Sequence, residues 1–350
     1  MIMAERASIG ILTFHRCINY GSYWQARCLV EGVRALGHEA VLMDHRSAKI
    51  DRAEWRCALQ PVLTETQDRE AYARKTRSFF DLFDALPLSV PFPLDDPGQA
   101  DNHDLVLVGS DEVWNLRHPW YGGKPIFYGH GLSARRLASY AASFGNQSAG
   151  LPPEWGNQLN VFDAVAVRDD NSRQIVSDAI EREPQLVLDP CLQFPEQIEA
   201  PLVPMDAPYV AVYGHGFPDW YANKIRGWAK DRGLTLVSIG YRNDWADRQW
   251  IDANPQQFAG LIAGSAAVAT NFFHGCVFSL LNHKPFVCAP SDYRNNKVRD
   301  LLNLVGESNR LLSPADLVEE LLQQTPARET YATIDTLRRT SARYLDHVLH

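Results

Sequence analysis

A histidine stands between two phenylalanines and a glycine in the stretch TNFFHGCVFSLLNHKPF, residues 270–286. The stretch opens at the end of an apolar run that predicts a strand, and then predicts a helix from Gly275. An imidazole at His274 would lie near backbone N–H groups that favour anions, and it can exchange a proton near neutral pH. The alternative is a core histidine packed by Phe272 and Phe273. The pattern alone leaves both interpretations open.

An arginine directly follows a second apolar run. Arg168 comes after AVAV (164–167) and precedes two aspartates. A guanidinium at a strand end can bind a phosphate or a carboxylate through two parallel hydrogen bonds. An ion pair with Asp169 or Asp170, at the start of the next helix, is the alternative.

Two short polar segments follow other apolar runs. In GSD (109–111), backbone N–H groups and the hydroxyl of Ser110 could bind a ligand, or Asp111 could cap a helix. NYG (19–21) either contributes to a site or forms a turn with Gly21 at positive φ.

Basic residues are concentrated after the helix predicted to begin next to His274. Lys284, Arg294 and Lys297 lie within a short stretch of the chain. They could bind an anionic ligand, or they could form an ordinary solvated basic surface.

The composition is that of a folded protein without a nucleic-acid partner. The chain has 350 residues, 45% hydrophobic and 22% charged, and a net charge of −8. Such an acidic balance disfavours nucleic acid but allows a small anion at a local basic cluster. The six cysteines form no C-x-x-C pair, and no apolar run is long enough for a membrane span. We therefore expect reduced thiols and a cytoplasmic location.

Several catalytic signatures are absent from the sequence. It contains no G-x-G-x-x-G motif with a ribose-binding acid, no Walker loop and no G-x-S-x-G motif. A nicotinamide enzyme, an NTPase and a serine hydrolase are therefore disfavoured. The histidines also lack metal-ligand spacing, so no metal site is predicted.

The elements that must position these residues alternate between strand and helix. Residues 8–46 read as strand, helix and strand, which favours a parallel sheet. A proline-rich stretch at 195–208 indicates a linker, after which the alternation begins again. The predicted fold class is α/β, with two Rossmann-like domains facing a cleft, as in the GT-B architecture. The predicted domains are residues 1–195, residues 205–328 and a C-terminal helix at 329–350 that crosses back to the first domain.

In open α/β sheets, ligands bind beyond the carboxyl ends of the strands. The candidate site residues are therefore the polar residues that follow predicted strands: His15, Asn19, Tyr20, Ser110, Asp111, Arg168, His215, Tyr241 and His274.

Seven segments in this order resemble the polysaccharide pyruvyl transferase family. They cover most of the chain and read NYGSYWQ (19–25), LVGSDEVWN (107–115), SYAASFG (139–145), VRDDNS (167–172), VLDPCL (187–192), TNFFHGCVFSLLNHKPF (270–286) and RNNKVRDLLNLVG (294–306).

The resemblance implies transfer of the enolpyruvyl unit of phosphoenolpyruvate to two sugar hydroxyls, giving a pyruvate ketal and phosphate. It implies that His274 is the general acid and that the second domain is the donor side. Phosphoenolpyruvate is then a co-substrate, with no cofactor or metal. The acceptor is a sugar or lipid-linked glycan, which allows peripheral membrane contact without a spanning segment. The implied donor-binding residues are Arg168, Gly275, Lys284, Arg294 and Lys297. The implied acceptor or cleft residues are His15, Asn19, Tyr20, Ser110, Asp111, His215 and Tyr241.

Two positions depart from the family pattern. Phe272 stands where many relatives have serine or arginine, and Cys276 stands at the usual threonine after H-G. Phe272 removes a polar or cationic group from the expected donor pocket. A GT-B glycosyltransferase using a nucleotide sugar and a non-catalytic glycan-binding relative are therefore the alternative functions.

Overall fold

A computed structural model describes residues 7–62, 64–291 and 295–350 of the chain. It divides into two compact units. The first unit comprises Met1–Glu54, Leu82–Gln197 and Asp335–His350, and the second unit comprises Trp55–Asp81 and Ile198–Ile334. Each unit contains one parallel sheet of several strands together with helices.

The strands, in chain order, are β1 (Ser8–Leu12), β2 (Glu39–Leu42), β3 (His45–Arg46), β4 (Phe92–Pro93), β5 (His103–Val108), β6 (Ala134–Ser139), β7 (Ala166–Val167), β8 (Gln185–Leu186), β9 (Tyr209–Tyr213), β10 (Thr235–Ile239), β11 (Arg248–Trp250), β12 (Ala267–Thr270) and β13 (Phe286–Cys288).

The α-helices, in chain order, are α1 (Tyr20–Ala35), α2 (Ala48–Leu59), α3 (Arg69–Phe83), α4 (Pro153–Leu159), α5 (Asp170–Ile180), α6 (Pro190–Gln193), α7 (Asp219–Lys230), α8 (Pro255–Gly264), α9 (Phe273–Leu281), α10 (Asn295–Leu304) and α11 (Arg328–Leu349).

The main sheet of the first unit has the strand order β2-β1-β5-β6, with all neighbours parallel. Its central strand β1 is a continuous apolar run in which Ile9, Ile11 and Leu12 are fully buried, as expected for a strand covered on both faces. The pairs β3–β4 and β7–β8 form two further parallel ladders. Because parallel strands share one direction, the loops that follow them emerge at the same edge.

The sheet of the second unit has the order β11-β10-β9-β12-β13, and its neighbours are also parallel. Its central strand β9 is buried throughout, and Val210 and Val212 are completely inaccessible to solvent. The loops after β9, β10 and β12 therefore lie together at one edge.

Two helix starts differ from the sequence prediction. Helix α1 begins at Tyr20 because the Asn19 side chain accepts hydrogen bonds from Gly21 N (2.8 Å) and Ser22 N (3.2 Å). This is an N-cap interaction that satisfies the first turn of the helix. Helix α9 begins at Phe273, two residues before the predicted start, so His274 lies inside its first turn.

The units also differ from the predicted ranges 1–195 and 205–328. Residues Trp55–Asp81, which precede most of the first unit in the chain, are grouped with the second unit, because helix α3 packs against the loop that follows β10. Long-range packing of this kind leaves no local mark in the sequence.

The C-terminal helix predicted at 329–350 is observed as Arg328–Leu349, and its residues from Asp335 onward are grouped with the first unit. There, the hydroxyl of Tyr344 donates to Ser139 O at 2.7 Å. Among the residues described, no helix is both long and apolar enough to cross a membrane.

Candidate functional site

In the first unit, Asp44 contacts three basic side chains just after the end of β2. Its carboxylate lies 3.0 Å from His15 Nε2, 2.8 Å from Arg16 Nε and 2.7 Å from Arg46 Nη2. Burial alone would raise the pKa of Asp44, but the hydrogen bonds from His15, Arg16 and Arg46 outweigh it and hold that pKa well below its usual range. His15 is fully buried in this network, which does not favour direct contact between its ring and an acceptor.

A second polar network joins β1, α1 and the loop after β5. The Ser110 hydroxyl donates to Gln25 Oε1, and Gln25 Nε2 donates to Thr13 Oγ1 at 3.1 Å. Thr13 Oγ1 donates to the carbonyl of Ser110 at 2.9 Å. Ser110 and Tyr20 are fully buried, so the structure gives both of them internal roles. Sequence reasoning missed Gln25. A polar residue on the buried face of α1 was the available signal that it has a specific partner.

The loop after β5 requires a glycine at position 109. Gly109 has φ +118°, and a Cβ atom there would lie 2.2 Å from the carbonyl oxygen of Tyr140. Any other residue would displace the backbone at Tyr140. This glycine therefore fixes the path of the loop that carries Ser110 and Asp111.

Asp111 follows β5 and contacts side chains from α1 and from the loop after β7. It accepts hydrogen bonds from Ser22 Oγ at 2.8 Å and from Arg168 Nη2 at 3.1 Å. Its Oδ1 also accepts from Glu112 N at 2.9 Å. No helix begins at this loop in the described structure, so the helix-capping alternative for Asp111 is not observed.

Arg168 forms two buried ion pairs. Its Nη2 contacts Asp111 and its Nη1 contacts Asp189 Oδ2 at 3.0 Å, and only 1% of its side chain is exposed. Burial lowers the pKa of Arg168, but the carboxylates of Asp111 and Asp189 outweigh that effect and raise it above its usual range. The partners differ from those considered in the sequence. Asp169 caps helix α5 through Ser172 N, and Asp170 pairs with Arg173.

In the second unit, three rings meet at the carboxyl ends of three strands. His215 follows β9, Tyr241 follows β10 and Phe272 follows β12. The ring centroid of Tyr241 lies 5.1 Å from that of His215 and 5.3 Å from that of Phe272, and those of His215 and Phe272 are 5.4 Å apart. The predicted neighbours His215 and Tyr241 are therefore brought together, with Phe272 completing the cluster.

His274 occupies the first turn of α9, directly after this cluster, and is 8% exposed. The turn is fixed by Thr270, whose Oγ1 accepts from Phe272 N at 3.0 Å and donates to Tyr213 O at 2.6 Å. A Cβ at Gly275 would lie 2.0 Å from the same Oγ1 atom, so only glycine fits there. An imidazole at a helix N-terminus is placed where anions are attracted.

The predicted basic residues do not share this location. Lys284 lies beyond the C-terminal end of α9 and just before β13, at the opposite edge of the sheet from His274, which does not favour a role in donor binding. Lys297 lies in the first turn of α10. This helix follows β13, at the carboxyl ends of the strands. Arg294 lies outside the described residues.

Sequence reasoning also missed Lys75, which helix α3 brings to the second unit. Its Nζ donates to Gly240 O at 2.8 Å and lies 4.4 Å from the ring centroid of Tyr241. The side chain lies on a helical face with Tyr72, Thr76 and Phe79, all of them buried. A lysine within an i, i+3, i+4, i+7 stripe was the available signal.

These observations define an α/β protein with two Rossmann-like units, each with polar residues at the carboxyl ends of its strands. The structure of S. aureus MnaA with UDP has a similar fold, with a TM-score of 0.51 and 12% identity over 98% of this chain and 96% of that chain. A putative UDP-N-acetylglucosamine 2-epimerase from Listeria monocytogenes matches with a TM-score of 0.48 and 11% identity, over 98% of each chain. The glycotransferase of kitacinnamycin gives 0.46 and 13%, over 99% of each chain. The predicted GT-B-like fold class is confirmed.

The family itself is shown by sequence. The model of the polysaccharide pyruvyl transferase family matches residues 19–293. The chain therefore belongs to the polysaccharide pyruvyl transferase family, as the seven segments predicted. No curated protein matches the chain significantly.

Proposed function

We propose that the protein transfers the enolpyruvyl unit of phosphoenolpyruvate to two hydroxyls of a sugar or lipid-linked glycan, forming a pyruvate ketal and releasing phosphate. The main support is the match of residues 19–293 to the polysaccharide pyruvyl transferase family. We propose that the acceptor is a precursor of an exopolysaccharide. A cytoplasmic location, and a reaction that needs no metal and no cofactor, stay predictions.

In the proposed reaction His274 is the general acid. It donates a proton to the methylene carbon of phosphoenolpyruvate, and the first sugar hydroxyl forms a bond to C2. The proton of that hydroxyl returns to the imidazole. The second hydroxyl then displaces phosphate from C2 and gives up its proton to the leaving phosphate. The two protons lost by the acceptor thus end in the methyl group and in the phosphate.

The position of His274 supports this role. Helix α9 begins one residue before it, so the positive end of the helix dipole attracts the phosphate and carboxylate of the donor.

The first unit supplies groups suited to sugar hydroxyls. The carboxylate of Asp111 accepts from the Ser22 hydroxyl, and a sugar hydroxyl is an equivalent donor. We propose that Asp111 contacts the acceptor and that Arg168 holds it in place through their ion pair. Direct binding of the donor by Arg168 stays a prediction.

The test is to incubate the protein with phosphoenolpyruvate and candidate glycans in D₂O. Phosphate release should accompany a new methyl signal that carries one deuterium, because the transferred proton goes to carbon. His274→Gln should lower the rate about 10²–10⁴-fold, the usual contribution of a general acid. His347→Gln, at an exposed position on α11, is the matched control and should leave the rate unchanged.

Three outcomes would contradict the proposal. A methyl group without deuterium would exclude a solvent-exchangeable acid such as His274 as the source of the added proton. Thermal stabilisation by UDP or GDP, with none by phosphoenolpyruvate, would favour a nucleotide-sugar glycosyltransferase. Stabilisation by a glycan, without turnover of any donor, would favour a binding protein.

A further inference from the structure

Helix α3 attaches to the second unit through the loop that follows β10. The backbone N–H of Arg242 donates to Tyr72 Oη at 3.0 Å, and Lys75 Nζ donates to Gly240 O at 2.8 Å. The Arg242 guanidinium adds two hydrogen bonds from Nη1 to the carboxylate of Asp68, the residue just before α3, at 3.2 and 3.0 Å. The two ends of the loop are therefore fixed by α3, and Tyr241 lies between them.

This attachment places an ammonium group at the carboxyl edge of the sheet. Lys75 Nζ lies 4.4 Å from the ring centroid of Tyr241, and that ring contacts His215 and Phe272. These three rings follow β9, β10 and β12, which is where open α/β sheets bind their ligands. The lysine therefore shares the edge at which α9 and His274 begin.

The segment that precedes His274 brings no charge to this edge. Phe272 is the N-cap residue of α9, and its side chain accepts no hydrogen bond from the first turn. Its ring packs edge-on against Tyr213, with centroids 4.9 Å apart. A phenylalanine at this position can exclude water but cannot bind an anion.

The attachment of α3 to this loop does not by itself require a charge at position 75. Tyr72 holds the same loop with a neutral hydroxyl, and an uncharged donor would satisfy the Gly240 carbonyl equally well. Only 3% of Lys75 is exposed, and burying an ammonium is costly. Its Nζ donates to the Gly240 carbonyl and lies over the face of the Tyr241 ring, two contacts that suit a cation. These contacts place the ammonium nitrogen at this edge of the sheet.

We propose that Lys75 provides the positive charge that binds an oxyanion of the donor in the second unit. In this chain the helix α3 thus supplies a charge that Phe272 cannot. Lysine suits a compact phosphorylated carboxylate because its ammonium binds phosphate as a point charge. The inference rests on the proposed function for the identity of the donor.

The experiment compares Lys75→Met and Lys75→Gln with two control variants. Tyr72→Phe removes the neighbouring hydrogen bond of the same attachment without changing charge, and Lys230→Met removes an exposed lysine in the last turn of α7. Two quantities are measured: the KM for phosphoenolpyruvate in phosphate release, and the thermal stabilisation of each variant by phosphoenolpyruvate or inorganic phosphate. Lys75→Gln keeps a donor for Gly240 O, so it tests the charge even if Lys75→Met does not fold.

Loss of one charged hydrogen bond predicts a KM for phosphoenolpyruvate about 10–100-fold higher in both Lys75 variants, with the acceptor KM unchanged. Stabilisation by phosphoenolpyruvate and by phosphate should disappear. Lys75→Arg should keep part of the affinity for phosphoenolpyruvate and part of the thermal stabilisation. The two controls should behave as the wild type.

An unchanged KM for phosphoenolpyruvate in Lys75→Gln would overturn the inference. So would an equal rise in Tyr72→Phe, or an equal rise in the acceptor KM, since each indicates a structural role. Failure of the proposed function gives a different result. In that case the wild type releases no phosphate, while its stabilisation by inorganic phosphate still depends on Lys75.

Discussion

Arg168 and Asp111 form an ion pair of 3.1 Å although they lie 57 positions apart in the chain. The arginine follows β7 and the aspartate follows β5, and Arg168 also contacts Asp189, which follows β8. One guanidinium thus holds three strand ends of the first unit together. The carboxylates balance its buried charge.

We predict that Arg168→Met destabilises the first unit strongly. The substitution leaves two buried carboxylates without their cation, which costs about 3–5 kcal/mol for a buried pair. Urea unfolding measures the change. Arg173→Met, which removes exposed ion pairs with Asp170 and Glu183, should cost less than about 1 kcal/mol. Equal losses in the two variants would contradict the ion-pair explanation.

We predict that Asp111→Gly is more stable than Asp111→Ala. Both variants lose the carboxylate, but the backbone at this residue has φ +73°, a conformation that an alanine adopts at a cost of about 1–2 kcal/mol. Thermal unfolding of the two proteins compares them directly. If alanine were the more stable, the backbone would have to leave the left-handed region in the variant.

We predict opposite effects of two glycine-to-alanine substitutions in the second unit. Gly275→Ala should destabilise the protein by about 1–3 kcal/mol, because the new Cβ would displace Thr270 Oγ1. Gly227→Ala, on the exposed face of α7 with open space around it, should stabilise the protein by about 0.5–1 kcal/mol through helix propensity. Urea unfolding measures both changes. If Gly227→Ala also destabilised the protein, the difference in space around the two glycines would not explain the effect of Gly275→Ala.

We predict that His45 makes the protein less stable as the pH falls. Burial and the neighbouring His15 lower the pKa of His45 to about 3, so the folded protein stays unprotonated there while the unfolded chain binds a proton below its ordinary pKa of 6.5. The contribution is therefore lost progressively from about pH 6.5 down to about pH 3, at about 1.4 kcal/mol per pH unit.

The measurement is the free energy of unfolding in urea at several pH values from about 6 to about 4.5, where Asp44 stays ionised in the folded protein. His45→Gln cannot bind this proton and should show a shallower slope. An identical slope in wild type and variant would contradict the prediction.

The sequence predicted the elements that local chemistry determines. The apolar run of β1, the periodic pattern of α1 and the proline-rich stretch near residue 200 each carry their structure within a few residues. The strand-end positions of Asp111, His215 and Tyr241 followed from those elements, because every strand of a parallel sheet ends at the same edge. The family could also be predicted, since its motifs are contiguous segments.

Only the tertiary structure decided which of these residues touch. Pairing of Arg168 with Asp189, and not with its neighbour Asp169, depends on where separate strands are placed. The location of Lys75 depends on the packing of α3 against the loop after β10, which comes more than 160 residues later in the chain. Such contacts are set by the burial of whole faces and by the pairing of distant charges. The free energy of both belongs to the assembled unit, so no short segment of sequence can specify them.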